Sequence, residues 1–123
     1  MKKAIVITGA SGSGKSIRLR KILSNYKKEE VILIRWNKYI FEDPFLFRDA
    51  DERTKVIAFE DVGVINYDNV ISLISSDRLQ VDCPGKPRKD INAPQFIFVS
   101  AGKNIPFSEV NSSLTRRIEN IKL

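Results

Sequence analysis

Residues 9–16 read Gly-Ala-Ser-Gly-Ser-Gly-Lys-Ser, directly after the apolar run Ala4-Ile5-Val6-Ile7-Thr8. The spacing is G-x-x-x-x-G-K-[ST], a loop that wraps phosphate groups between a strand and a helix. This stretch constrains the fold more than any other in the chain. It requires a buried strand to deliver the loop and a helix to begin at its end. Gly9, Gly12 and Gly14 open backbone angles closed to other residues. Ala10, Ser11 and Ser13 complete the curl, whose N–H groups point inward at anionic oxygens. The start of the next helix adds positive dipole character. Lys15 is expected at the β- and γ-phosphates of a nucleoside triphosphate as a point charge. The Ser16 hydroxyl is expected on Mg2+.

The chain has 123 residues, the size of one domain, and is 42% hydrophobic, enough for a core. Its formal charge is +6, which suits an anionic partner, either the nucleotide or nucleic acid. Cys83 is the only cysteine, so no internal disulfide forms, as in a reducing compartment. The absence of histidine excludes imidazole catalysis and His-type zinc sites. Lys2 and Lys3 precede an apolar run too short for a signal peptide. No stretch is long enough for a membrane span. A cytoplasmic location without membrane contact is the expectation.

Beyond the loop, Ile17, Leu19, Ile22, Leu23 and Tyr26 recur at roughly helical spacing. Arg18, Arg20, Lys21, Lys27 and Lys28 fill the other faces, read as solvated surface, with nucleic-acid contact as the alternative. Residues 31–34 form a continuous apolar run, expected as a strand buried on both faces. Arg35, Trp36 and Asn37 follow at its carboxyl end, where ligands bind in open α/β sheets, and Trp36 is expected to pack rather than contact a nucleotide or base. Asp43-Pro44 predicts a short helix from Pro44 to about Asp51.

Residues 56–61 read Val-Ile-Ala-Phe-Glu-Asp, a strand ending in two acids, as a Walker B strand does. One carboxylate at such a tip holds Mg2+ and a second orients or deprotonates water. By position Glu60 takes the metal and Asp61 the water. A short helix is expected over 68–76, capped by Asp68 or Asn66. Residues 78–92 predict a hairpin, with the turn signal Pro84-Gly85-Lys86-Pro87. Lys86, Arg88 and Lys89 at its tip make it a candidate nucleic-acid finger. Phe96–Val99 predicts a buried strand ending at Ser100, with Asn104 just beyond. Either is a candidate to sense the γ-phosphate. A short helix around Asn111–Arg117 carries Arg116 and Arg117 ahead of a last strand, Glu119–Leu123. Strand and helix alternate five times, which predicts an α/β fold with a largely parallel sheet.

The order of these motifs resembles the ATPase core of the AAA+ class, and within it the superfamily 3 helicases, the Rep-type motors of small viruses and mobile elements. The stretch RLQVDCPGKPRKDINAPQFIFVS resembles that family's segment from the hairpin into the sensor 1 strand. SSLTRRI resembles its arginine-finger segment. The resemblance covers nearly the whole chain as a single P-loop ATPase core. It implies a three-layer P-loop NTPase with a five-stranded sheet of order 5-1-4-3-2, ATP and Mg2+ as cofactors, and a homo-oligomeric ring. In such a ring Arg116 or Arg117 reaches a neighbour's γ-phosphate. Lys86, Arg88 or Lys89 meets single-stranded nucleic acid in the pore. The family's sensor asparagine is replaced at the strand tip, leaving Ser100 or a displaced Asn104. The family's nuclease, primase, origin-binding and oligomerisation domains lie outside these 123 residues, so a partner protein that supplies such parts is a further expectation.

Two other classes compete. A small P-loop kinase would use the Lys86–Lys89 loop as a lid, but the acid pair suits water activation better. An ATP-binding switch with little turnover fits the altered sensor tip. A GTPase is disfavoured, because no N-K-x-D sequence appears.

Overall fold

The computed structural model describes residues 3–63, 67–103 and 116–123. Its centre is β1 (Ala4–Thr8), all five of whose residues are buried. β1 lies between two parallel neighbours, β6 (Gln95–Ser100) and β7 (Ile118–Lys122). β3 (Val56–Val62) pairs with β6, and β2 (Val31–Arg35) pairs with β3, again parallel. The architecture is therefore α/β with a five-stranded parallel sheet.

The sheet order is β2-β3-β6-β1-β7. In these labels it differs from the expected 5-1-4-3-2. The difference arises because β4 (Arg78–Val81) and β5 (Lys89–Asn92) leave the sheet as a separate antiparallel hairpin, which shifts the chain numbers of the strands after them. Numbered without the hairpin, the five sheet strands run 2-3-4-1-5.

Strand alternation sends the two sets of side chains to opposite faces. Ile5, Ile7, Val56, Ala58, Ile97 and Val99 meet Leu19 of α1 (Lys15–Leu23) on one face. Val6, Ile57, Phe59, Phe96 and Phe98 meet Val70 and Ile74 of α2 (Tyr67–Ser75) and the buried side of the hairpin on the other. Three layers result. Phe59 stacks on Phe98 at 5.3 Å between ring centroids, and Trp36 packs edge-on against Phe59 and Phe41. Trp36 is a packing residue, as its place in the sequence suggested. Among the described residues no helix is long and apolar enough to cross a membrane.

Two local expectations are corrected. β2 is not buried on both faces: it is an edge strand, and Leu33 is 49% exposed where α1 does not reach. Residues 44–51 are not helical. The Asp43 carboxylate accepts from Phe45 N–H at 2.9 Å, and Arg48 N–H and Ala50 N–H each donate to the carbonyl three residues back. A side chain that binds nearby backbone competes with the helical ladder. A short 3-10 helix, Ile40–Glu42, lies just before. Asn66, Asn104 and most of the expected helix around Asn111–Arg117 lie outside the described residues.

Candidate phosphate-binding site

The loop 9–14 leaves the carboxyl end of β1 and turns into α1. Gly12 and Gly14 have φ of 81° and 96°, in the left-handed region that glycine alone enters without strain. Gly9 is required for a different reason. A Cβ there would collide with Ser13 Oγ and come within 3.1 Å of the Leu123 carbonyl. Ser13 N–H donates to Ala10 O at 3.0 Å and closes the curl. Gly14 stands at the N-cap of α1 and no side chain caps the helix. The first-turn N–H groups of a helix have no acceptor inside it, so here they are left to a ligand. Ser13 Oγ is buried without a hydrogen-bond partner. Lys15 Nζ is folded back onto Gly9 O at 2.6 Å. Uncapped donors, an orphaned hydroxyl and an ammonium held over the loop fit a bound phosphate chain.

The adjacent strand tip faces the same space. Opposite Val99, β3 carries two residues, Glu60 and Asp61, so its register with β6 shifts between Phe59 and Val62. Such a bulge re-aims side chains at a strand end. Asp61 sits at φ 55°, the only non-glycine residue at positive φ among those described. A cavity of about 380 Å³ is lined by Ser11, Gly12, Gly14, Lys15, Ser16 and Ile17 together with Asp61 and Ala101. Asp61, rather than Glu60, is the acid at its wall. Trp36 N–H holds the Glu60 carbonyl at 2.9 Å.

Arg35 stands at the carboxyl end of β2, the end expected to meet ligands. It is register partner to Glu60, and its guanidinium lies 3.5 Å from Asp61 Oδ2. Ile17 and Ala101 were not anticipated at the cavity.

Ser100 is buried, and its hydroxyl accepts from Gly102 N–H at 3.2 Å. Gly102 O in turn accepts from Gly9 N–H at 3.2 Å, and Ala101 N–H donates to Val62 O at 2.9 Å. The β6 tip is thus stitched to both the loop and the β3 tip, and Ser100 acts as a brace behind the cavity wall.

The remaining candidates lie elsewhere. Arg117 precedes β7, at the opposite end of the strands from the loop. It donates to the Ile74 and Ser75 carbonyls at the end of α2, at 3.2 and 3.4 Å. Arg116 beside it is exposed. A five-residue strand spans about 17 Å, which separates both arginines from their own chain's cavity. In the hairpin, Arg88 is bound to Asp82 at 2.7 Å, which holds its guanidinium above the ordinary value, and also reaches Gln80. Lys86 and Lys89 are exposed.

No family model matches the chain, and no curated protein does. Solved structures do. The chain resembles the NrS-1 C-terminal region at TM-scores of 0.67 and 0.70 in two structures, with 17% and 14% identity. It resembles the JCV helicase at TM-score 0.53 and 14% identity. Each match covers 98% of this chain but 28–35% of the other. The fold is therefore helicase-like, and the chain spans about a third or less of the proteins it resembles.

Proposed function

We propose that this chain binds a nucleoside triphosphate, with ATP as the expected substrate, together with Mg2+, and hydrolyses it as the motor core of a nucleic-acid helicase or replication ATPase. The observation that carries this reading is the shared cavity: loop backbone, Lys15, Ser16 and the β3-tip carboxylate Asp61 line one space. The loop N–H groups and Lys15 would bind the phosphates. Ser16 and one acid of the pair Glu60-Asp61 would hold Mg2+, which when bound supplies positive charge between the phosphates. The acid not engaged with the metal would accept a proton from the attacking water. In this chain Arg117 is bound to the end of α2; Arg116 or Arg117 would complete a neighbour's site in a ring. Lys86 and Lys89 remain candidate contacts to single-stranded nucleic acid.

The test is phosphate release with ATP and Mg2+, with and without single-stranded DNA, beside a screen for phosphorylated nucleosides. Release that needs Mg2+ and vanishes in Lys15→Ala is the expected result. Transfer to a nucleoside would replace the motor with a kinase. A second reading, an ATP-binding switch, draws on the β6 tip, where Ser100 stands in place of the resembled family's sensor asparagine. Tight binding without release would select it.

A further inference from the structure

The positive charge of this chain is concentrated at one end of the sequence. The first 28 residues hold eight of the 21 basic residues and none of the 15 acidic ones. The other 95 hold 13 basic and 15 acidic residues and are net negative. The fold gathers that charge onto α1. Leu19 of α1 is 2% exposed and turned to the sheet, with Ile22, Leu23 and Tyr26 packed beside it. Arg18 and Arg20 flank the inward Leu19 on either side, Lys21 stands on the outer side, and Lys27 and Lys28 follow past the helix end, all five exposed.

Neutralisation differs across the molecule. The described ion pairs tie Lys3, Arg35, Arg53, Lys55 and Arg88 to acids. None falls on the five cations of the α1 face. The nearest acids in sequence are Glu29 and Glu30; the Glu30 carboxylate is bound to Lys55 at 3.0 Å and accepts from Lys27 N–H at 2.8 Å, so of the five cations Lys27 is the one with an acid beside it. The hairpin, by contrast, carries Asp82 and Asp90 among its cations and spends Arg88 on Asp82.

We propose that the outer face of α1, on the opposite side of the sheet from the hairpin, is a docking surface for the phosphate backbone of nucleic acid. Arg18 and Lys21 are three residues apart, about 5–6 Å on a helix surface. The arginine forks match phosphate geometry. The surface lacks the apolar stripe that a membrane-lying helix buries in lipid, because the apolar side of α1 is spent on the sheet. Ile17 is the one large hydrophobe exposed on that helix. Contact is therefore electrostatic and independent of base sequence.

Binding of fluorescent DNA oligomers of unrelated sequence, without nucleotide, tests this surface apart from the ATPase reading. With about five phosphate contacts, log K should fall against log salt with a slope near −4. Changing Arg18, Arg20, Lys21, Lys27 and Lys28 together to Gln should abolish most binding and flatten that slope. The melting temperature and ATP binding of this variant should stay as in the parent. Lys86→Gln with Lys89→Gln, which removes the hairpin contacts of the proposed motor, should lower DNA binding less than the α1 variant does. The proposal is overturned if the parent protein binds no DNA at low salt, or if the hairpin variant loses more than the α1 variant. It is also overturned if anionic vesicles compete better than DNA. Loss of ATP binding in the parent would instead end the ATPase reading and leave this one standing.

Discussion

The two ends of the parallel sheet are built on opposite terms. At the carboxyl ends of the strands the backbone is irregular: two left-handed glycines, a bulge at Glu60-Asp61 and a non-glycine residue at positive φ. An ammonium rests on a loop carbonyl and a buried serine hydroxyl has no partner. At the amino ends the groups are paired. Lys3 meets Asp77 at 2.7 Å, Lys55 meets Glu30 at 3.0 Å, and Arg117 holds the last carbonyls of α2. Ala4 N–H is bound to Arg117 O, and Phe96 N–H to Lys3 O. Irregular backbone with unspent donors is where a ligand gains most, and a paired edge is where the fold is held. Changes at the first end should therefore alter binding and turnover with little effect on folding. Changes at the second should do the reverse.

Lys15→Ala should show the largest effect. It removes the one charged donor of the cradle, and loss of such a donor costs roughly 10²–10³-fold. Nucleotide binding measured by fluorescence should fall by that order while the melting temperature without nucleotide holds or rises. A protein that melts much lower would show that this end carries stability after all. Asp61→Asn should come next, lowering phosphate release by about 100-fold and nucleotide affinity far less. Arg35→Ala should cause a smaller loss in the same measurement and none on top of Asp61→Asn, because its contact is with that carboxylate. An equal loss in both backgrounds would separate Arg35 from the site.

How much of this was readable in advance follows the same division. The loop, β1 and the acidic β3 tip were legible because glycine spacing and apolar runs are local signals. The bulge was not legible. Asp61 faces the cavity only because β3 carries one more residue than β6 there, a property of pairing between distant segments. Residues 44–51 deceived because Pro44 marks a helix start, whereas Asp43 satisfies the backbone in turns instead. β2 read as doubly buried because its composition is that of a central strand, and only the sheet order makes it an edge. The role of Arg117 at α2 depends on a contact 42–43 residues away in sequence, beyond any motif.

That contact gives the contrast its sharpest test. Arg117→Ala removes two hydrogen bonds from a cation to the carbonyl end of a helix. A loss of about 1 kcal/mol is expected, or about 4 °C in melting temperature for a domain of this size. Nucleotide binding by the remaining folded protein should be unchanged. If a ring forms, Arg116→Ala should lower turnover in mixtures with the parent protein. Should Arg117→Ala instead abolish turnover without a change in stability, the assignments of the two arginines would exchange.

The smallest effect belongs to the Lys3–Asp77 pair, and it is a matter of pH. The hydrogen bond from Lys3, followed by its charge, holds the Asp77 carboxyl below its ordinary value. A carboxylate whose value is lower in the folded state favours folding above its unfolded value and loses that contribution as pH falls through the folded one. For an aspartate this places the loss below about pH 4. Asp77 is largely exposed, so solvent screens the pair and its share is small. Lys3→Gln should lower the melting temperature by about a degree at pH 7. The difference between parent and variant should close as pH falls through the lowered Asp77 value. Differential scanning calorimetry across that range reads the result directly. A difference that stays constant with pH would mean Lys3 acts through packing of its stem beside β1, and the amino edge of the sheet would be held by contacts other than charge.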